Sequence, residues 1–233
     1  MPLRARGQPR GDPPLLGDRH GPRRHLPLGL VLGPLLERAI FVRHGESDYS
    51  ARELVNGDPS VVVGLTEEGK QQARWLYDRL ESEPIDLCVV TEFGRTRETA
   101  NLALGDRPVP RIVLRDLNDP FYGSFEGKPL AEYRKWAGSH GPLDVPPGQG
   151  EARAAIAERY ARGFRTLLAR DEETILVVCH SLPIAFALAA ADGRRPSAKM
   201  PLVTPAEPHI LYEPSLREAA ERIEEWVQDP VYP

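Results

Sequence analysis

Phe41-Val42-Arg43-His44-Gly45-Glu46-Ser47 sets an apolar run against an abrupt change to a cation, an imidazole and a glycine. The run begins at Ala39, and its β-rich composition predicts a buried strand from Ala39 to Val42. A second stretch repeats the arrangement: Val177-Val178-Cys179-His180-Ser181 ends another apolar run on another histidine. Between them, a predicted strand from Asp86 to Thr91 leads into Glu92-Phe93-Gly94-Arg95, which places an arginine just past a third strand. In open α/β sheets ligands bind outside the carboxyl ends of the strands, so the three ends are expected to converge on one crevice.

Outward from these stretches, apolar β-rich runs alternate with segments of helical period, the pattern of an α/β sheet with helices on its faces. Thr66 reads as an N-cap, Glu67 and Glu68 suit a first helical turn, and Ala73, Leu76, Tyr77 and Leu80 share one face. A helix is predicted from about Phe93 to Leu104, then a strand at Arg111 to Leu114 and an irregular loop through Gly127. The longest helix is expected from near Gln149 to Arg170, with Ile156, Tyr160, Phe164, Leu167 and Leu168 facing the core. Thr174 to Cys179 is almost unbroken in its apolarity, as a strand at the centre of a doubly covered sheet should be. A helix from Leu182 to Ala191, a strand from His209 to Tyr212 and a helix ending near Val227 complete the chain.

Arginine and histidine together suit phosphoryl transfer, in which a protein must position an in-line attack and neutralise charge spread over three oxygens. Arg43 and Arg95 can grip phosphate oxygens with two N–H groups each and stay charged at any working pH. A neutral imidazole has a free lone pair and can form a covalent intermediate that water later hydrolyses. His44 and His180 would divide the work, one as nucleophile and one as hydrogen-bonding partner of the transferring oxygens. The residues alone leave open which is which.

In these motifs the chain resembles the histidine phosphatase superfamily, the phosphoglycerate mutase-like family, over roughly Ala39 to Ala190. Arg43-His44-Gly45 matches its signature; Gly64-Leu65-Thr66-Glu67-Glu68-Gly69 resembles the turn into its first helix, and Arg95-Thr96-Arg97-Glu98-Thr99-Ala100 its second arginine segment. The resemblance implies a three-layer α/β/α sandwich with a mostly parallel central sheet. It also implies His44 as the phosphorylated nucleophile in a metal-independent phosphatase, clamped by Arg43, Arg95 and His180, with no cofactor. The general acid falls at Asp119 in Leu117-Asn118-Asp119-Pro120-Phe121-Tyr122-Gly123, where relatives carry glutamate; Glu126 is the alternative. Ser50 stands where relatives often carry asparagine, and Ser50, Asn56, Gly57 and Ser181 are expected around the phosphate. Mutases of the family carry Glu-Arg-His-Tyr-Gly where this chain reads Asp119-Pro120-Phe121-Tyr122-Gly123, which favours transfer to water and suggests a less polar pocket wall at Pro120 and Phe121. The alternatives are a mutase-type phosphotransferase and a non-catalytic phosphate binder.

Composition bounds the partners. Of 233 residues 41% are hydrophobic and 27% charged, and the net charge of -4 argues against a general nucleic-acid or anionic-membrane surface. No stretch approaches the roughly 18 apolar residues of a membrane span. The two cysteines, Cys88 and Cys179, lie inside apolar runs without metal-ligand spacing, which fits a reducing, cytoplasmic setting. Residues 1–37, rich in Pro, Gly and Arg, read as a mobile extension without an Ala-x-Ala-like cleavage site, and 38–233 as a single catalytic domain. The expected partner is a small phosphate ester, with a homodimer left open.

Overall fold

The computed structural model describes residues 36–233. Most of the expected 1–37 extension lies outside the described residues. Its last two residues belong to the fold: Leu36 is buried, and the Glu37 N–H donates to the Glu173 carbonyl at 2.8 Å.

Five strands form one sheet in the order β3-β2-β4-β1-β5: β1 (Arg38–Arg43), β2 (Leu87–Val90), β3 (Arg111–Val113), β4 (Thr174–Cys179) and β5 (Pro208–Tyr212). The first four run parallel, and β5 pairs antiparallel with β1 at the edge. β4 is central and buried at all six positions, which explains its unbroken apolarity. Helices cover both faces, so the expected α/β/α layering is observed.

Alternation along the strands divides the core in two. Phe41, Val89, Ile175 and Val177 face α5 (Arg153–Leu168), α6 (Ser181–Ala191) and α7 (Glu213–Gln228). Ile40, Val42, Cys88, Val90, Leu176 and Val178 face α2 (Glu67–Leu80) and α3 (Gly94–Leu104). Each fully buried large side chain contributes about 1.5–3 kcal/mol, and the Phe41–Phe164 edge contact, 5.9 Å between ring centroids, ties β1 to α5. Both cysteines are buried in strands, and burial pushes the Cys88 thiol up to about 12, as befits inert core residues.

Thr66 caps α2 as expected, its hydroxyl accepting from the Gly69 N–H. Tyr77 departs from expectation. The buried stripe is Gly69, Ala73, Leu76 and Leu80, and Tyr77, one residue round the helix, is exposed. Two short helices have no strong sequence signal: α1 (Asp48–Ala51) and α4 (Leu130–Ala137). α4 covers a small cluster of Val55, Tyr122, Tyr133 and Ala137 above the carboxyl edge of the sheet.

Candidate active site

Register brings the two histidines together. Arg43 pairs with Cys179 across β1 and β4, so His44 and His180 leave adjacent strands side by side, with ring centroids 5.3 Å apart. The chain must then turn tightly. A Cβ on Gly45 would stand 2.3 Å from the Gly69 carbonyl oxygen, and one on Gly69 would stand 1.9 Å from that of Glu46, so both glycines are required for β1 to dock on the start of α2. The Gly45 N–H donates to Thr99 Oγ1 at 3.0 Å, fixing the turn to α3, which also carries Arg95.

The hydrogen bonds assign the tautomers. His44 Nδ1 lies 2.7 Å from the Gly45 carbonyl, which can only accept, so Nδ1 carries the proton; Nε2 accepts from Arg95 Nε at 3.0 Å. His180 is the reverse: Nδ1 accepts from Arg95 Nη2 at 3.3 Å, and Nε2–H donates to Thr91 Oγ1 at 3.0 Å. Burial first, then the guanidiniums of Arg95 and Arg43, holds the pKa of each histidine well below the usual imidazole range. Both are therefore neutral at pH 7.

Arg95 joins the site together. Nη1 donates to Asn56 Oδ1 at 2.5 Å, and Nη2 donates to the Asn56 carbonyl at 3.0 Å and to Asp119 Oδ2 at 3.3 Å. Arg43 donates from Nη1 to the Val203 carbonyl at 2.7 Å, while its buried Nε has no partner. Asp119 faces both cations, yet burial outweighs them and lifts its carboxyl from an ordinary 3.8 to about 6. Its loop is pinned at several points: Arg159 donates to the carbonyls of Asp116 and Asn118, and Tyr160 to that of Asn118.

A cavity of about 260 Å³ opens on this cluster, with Arg43, His44, Asn56, Arg95 and Asp119 in its wall. Ser50 and Ser181 also line it, but their hydroxyls are engaged: Ser50 Oγ forms a capping box with Ser47, and Ser181 Oγ accepts from the Val203 N–H at 2.9 Å. His180 stands behind Arg95 and Asp119, fully buried. Gly57 packs beneath the Asp119 loop, where a Cβ would clash with the Pro120 carbonyl. Glu126 accepts from the N–H groups of Gly57 and Tyr122 with one oxygen each, so it staples the loop and does not line the cavity.

The apolar wall expected at Pro120 and Phe121 is not there. Phe121 points outward, and Tyr122 and Tyr133 line the cavity instead, because α4 folds back over the loop. Sequence reasoning also missed Thr91 and Thr99, which position His180 and Gly45, and two further arginines in the wall, Arg134 and Arg153. Arg153 carried a signal. It falls in register with Ile156, Tyr160, Phe164 and Leu167 on the buried face of α5, where a cation is out of place.

The sequence profile of the histidine phosphatase superfamily (branch 1) matches residues 39–229. The chain belongs to this superfamily. It is 31% identical over 152 residues to the adenosylcobalamin/alpha-ribazole phosphatase of Salmonella typhimurium, covering 61% of this chain and 73% of that protein. It is 29% identical to the 2,3-bisphosphoglycerate-dependent phosphoglycerate mutase of Brucella ovis, over 67% of this chain and 82% of that one. Among solved structures, the alpha-ribazole phosphatase from Shigella flexneri superposes with a TM-score of 0.63 at 25% identity, covering 74% of this chain and 89% of that chain. Among the described residues, no helix is long and apolar enough to cross a membrane.

Proposed function

We propose that this phosphatase, a hydrolase acting on phosphate monoesters, cleaves a small phosphorylated metabolite through a phosphohistidine on His44, without a metal. The observation that carries the reading is the state of His44: its Nδ1 proton is tied to the Gly45 carbonyl, its Nε2 lone pair faces the Arg95 guanidinium, and both residues line the cavity with Arg43. Arg95 Nε donates to that same lone pair, so the free site is not ready to attack. An incoming phosphoryl group frees Nε2 by drawing the Arg95 N–H groups, with the unpartnered Nε of Arg43, onto its own oxygens.

His44 Nε2 then attacks phosphorus as the ester P–O bond breaks, and protonated Asp119 gives its proton to the departing alkoxide. Asp119 suits both halves of the reaction: near pH 6 it exists as acid and as carboxylate, and the carboxylate activates the water that cleaves the P–N bond and releases phosphate. With Glu126 engaged in the loop, Asp119 is the acid that reaches the cavity. His180 steadies Arg95 and, facing a phosphate dianion, would gain a proton at Nδ1 and donate it to a phosphoryl oxygen. Asn56 orients Arg95, Gly57 supports the loop, and Ser50 and Ser181 contribute backbone N–H groups or exchanged hydroxyl bonds. Residues 38–233 serve as the catalytic domain, in the cytoplasm, with no nucleic-acid partner and with a homodimer as the assembly to test by sedimentation.

Turnover of a ³²P-labelled ester, quenched in alkali, tests the proposal. Label retained on wild-type protein in an acid-labile, alkali-stable form and absent from His44→Ala is the expected result. Hydrolysis without any trapped label would overturn the phosphohistidine. Transfer of label to a second ester in preference to water would favour the mutase reading, and phosphate binding without turnover the non-catalytic one.

A further inference from the structure

Arg153 sits in the same cavity, away from the strand ends, and its state is unusual. Its residue is 6% exposed; Nε and Nη1 are buried without a hydrogen-bond partner, and Nη2 donates to the Ala198 carbonyl at 3.3 Å. The neutral Tyr232 hydroxyl interacts with the guanidinium without supplying a counter-charge, and the guanidinium stands 5.9 Å from the centre of the Phe186 ring. Among the described residues no carboxylate pairs with it, whereas Arg159, six residues on, is paired with Glu151. Arg153 is also the first residue of α5, where the helix dipole disfavours a cation. A buried guanidinium with two unused nitrogens and no counter-charge is costly to fold, and an anion delivered by a ligand removes that cost. Arg134 lines the same cavity: it donates to the Met200 carbonyl, in the loop that Arg153 holds through Ala198.

We propose that Arg153, assisted by Arg134, binds a second acidic group of the substrate, which is therefore a compact phosphate ester bearing a carboxylate or a second phosphate. This deepens the phosphatase reading above and rests on it. The phosphate engages Arg43 and Arg95, the second anion satisfies Nε and Nη1 of Arg153, and one cavity of about 260 Å³, lined by all three arginines, takes both groups of a small ester.

The test uses paired esters: phosphoglycolate, 3-phosphonooxypropanoate and 4-phosphonooxybutanoate, each against the alkyl phosphate of the same chain length, with propane-1,3-diyl bisphosphate as the diphosphate arm. The readout is the ratio of kcat/KM between acid and alkyl partner, in which a general loss of activity cancels. Wild type is expected to favour one chain length by about tenfold to a hundredfold, the usual scale of a charge-assisted contact. Arg153→Gln is expected to bring that ratio close to one, and Arg153→Lys to keep part of it. A ratio near one at every length, bisphosphate included, overturns the proposal. So does a ratio unchanged in Arg153→Gln, or, if that variant does not fold, unchanged in Arg153→Lys. Calorimetric binding of the same pairs to His44→Ala gives the second measurement. Preference there for the acid partner, without wild-type hydrolysis of any ester, would sink the phosphatase reading and leave the Arg153 site standing.

Discussion

Two strand ends of this protein look alike and do different things. β1 and β4 lie side by side, each closes on a histidine, and the two are in register. Yet His44 lines the cavity with its Nε2 on Arg95, while His180 turns its Nε2–H inward to Thr91 and is fully buried. The difference lies in the segment that leaves each strand. After His44, the Gly45–Gly69 contact turns the chain sharply and leaves the imidazole at the surface of the cavity. After His180, α6 starts at once, and Phe93 packs on the ring with centroids 4.8 Å apart. Equivalent positions in a sheet thus leave one imidazole in the cavity wall and one buried behind Arg95 and Asp119.

Removing each imidazole in turn breaks the comparison most directly. His44→Ala should lower kcat by at least about 10⁴-fold even for an aryl phosphate, because nothing replaces the nucleophile, whereas His180→Ala should lose about 10²- to 10³-fold. Equal losses in steady-state assays of the two would mean that His180 takes part covalently.

Asp119→Asn sharpens the picture next. Alkyl esters, which need a protonated leaving group, should lose about 10²- to 10⁴-fold, and aryl esters much less. In wild type the alkyl-to-aryl ratio should fall as pH rises above about 6, where Asp119 gives up its proton. A flat ratio from pH 5 to 8 would remove Asp119 as the acid. The same raised pKa affects folding. Between about pH 4 and 6 the folded protein keeps a proton that the unfolded aspartate has lost, so the buried carboxylate costs about 2–3 kcal/mol above that window. Asp119→Asn should therefore melt about 5–10 °C higher than wild type at pH 8 and close to it at pH 4.

Smaller effects probe the tether of His180. Thr91→Val leaves the buried Nε2–H unpartnered, which should lower stability by about 1–3 kcal/mol in urea titration and kcat by roughly two- to tenfold. An unchanged kcat would show that the tether serves packing alone. The smallest effect expected is that of a chelator: with the phosphate charge assigned to Arg43 and Arg95 in the proposed mechanism, EDTA dialysis should leave kcat/KM unchanged.

Legibility in the sequence divides along a physical line. Strands buried on both faces announce themselves by unbroken apolarity, so β1, β2 and β4 and their terminal residues could be placed to within a residue or two. α1 and α4 escaped because a four-residue helix and an eight-residue one have too few turns to show a period. The roles of Thr91 and Glu126 escaped because hydrogen bonds between residues far apart leave no local pattern.

Sequence alone determined the order of the elements and the candidate groups that the fold brings together, because both arise from local periodicity and from motifs at or near strand ends: Arg43-His44, Arg95, Asp119 and His180. Only the tertiary structure decided which histidine meets the cavity, which carboxylate is free and which is stapled, and that Arg153, a residue on the apolar face of a helix, stands uncompensated beside the site. Those outcomes depend on how loops and helices from distant parts of the chain close over the sheet, and burial and charge pairing exist only once they have done so.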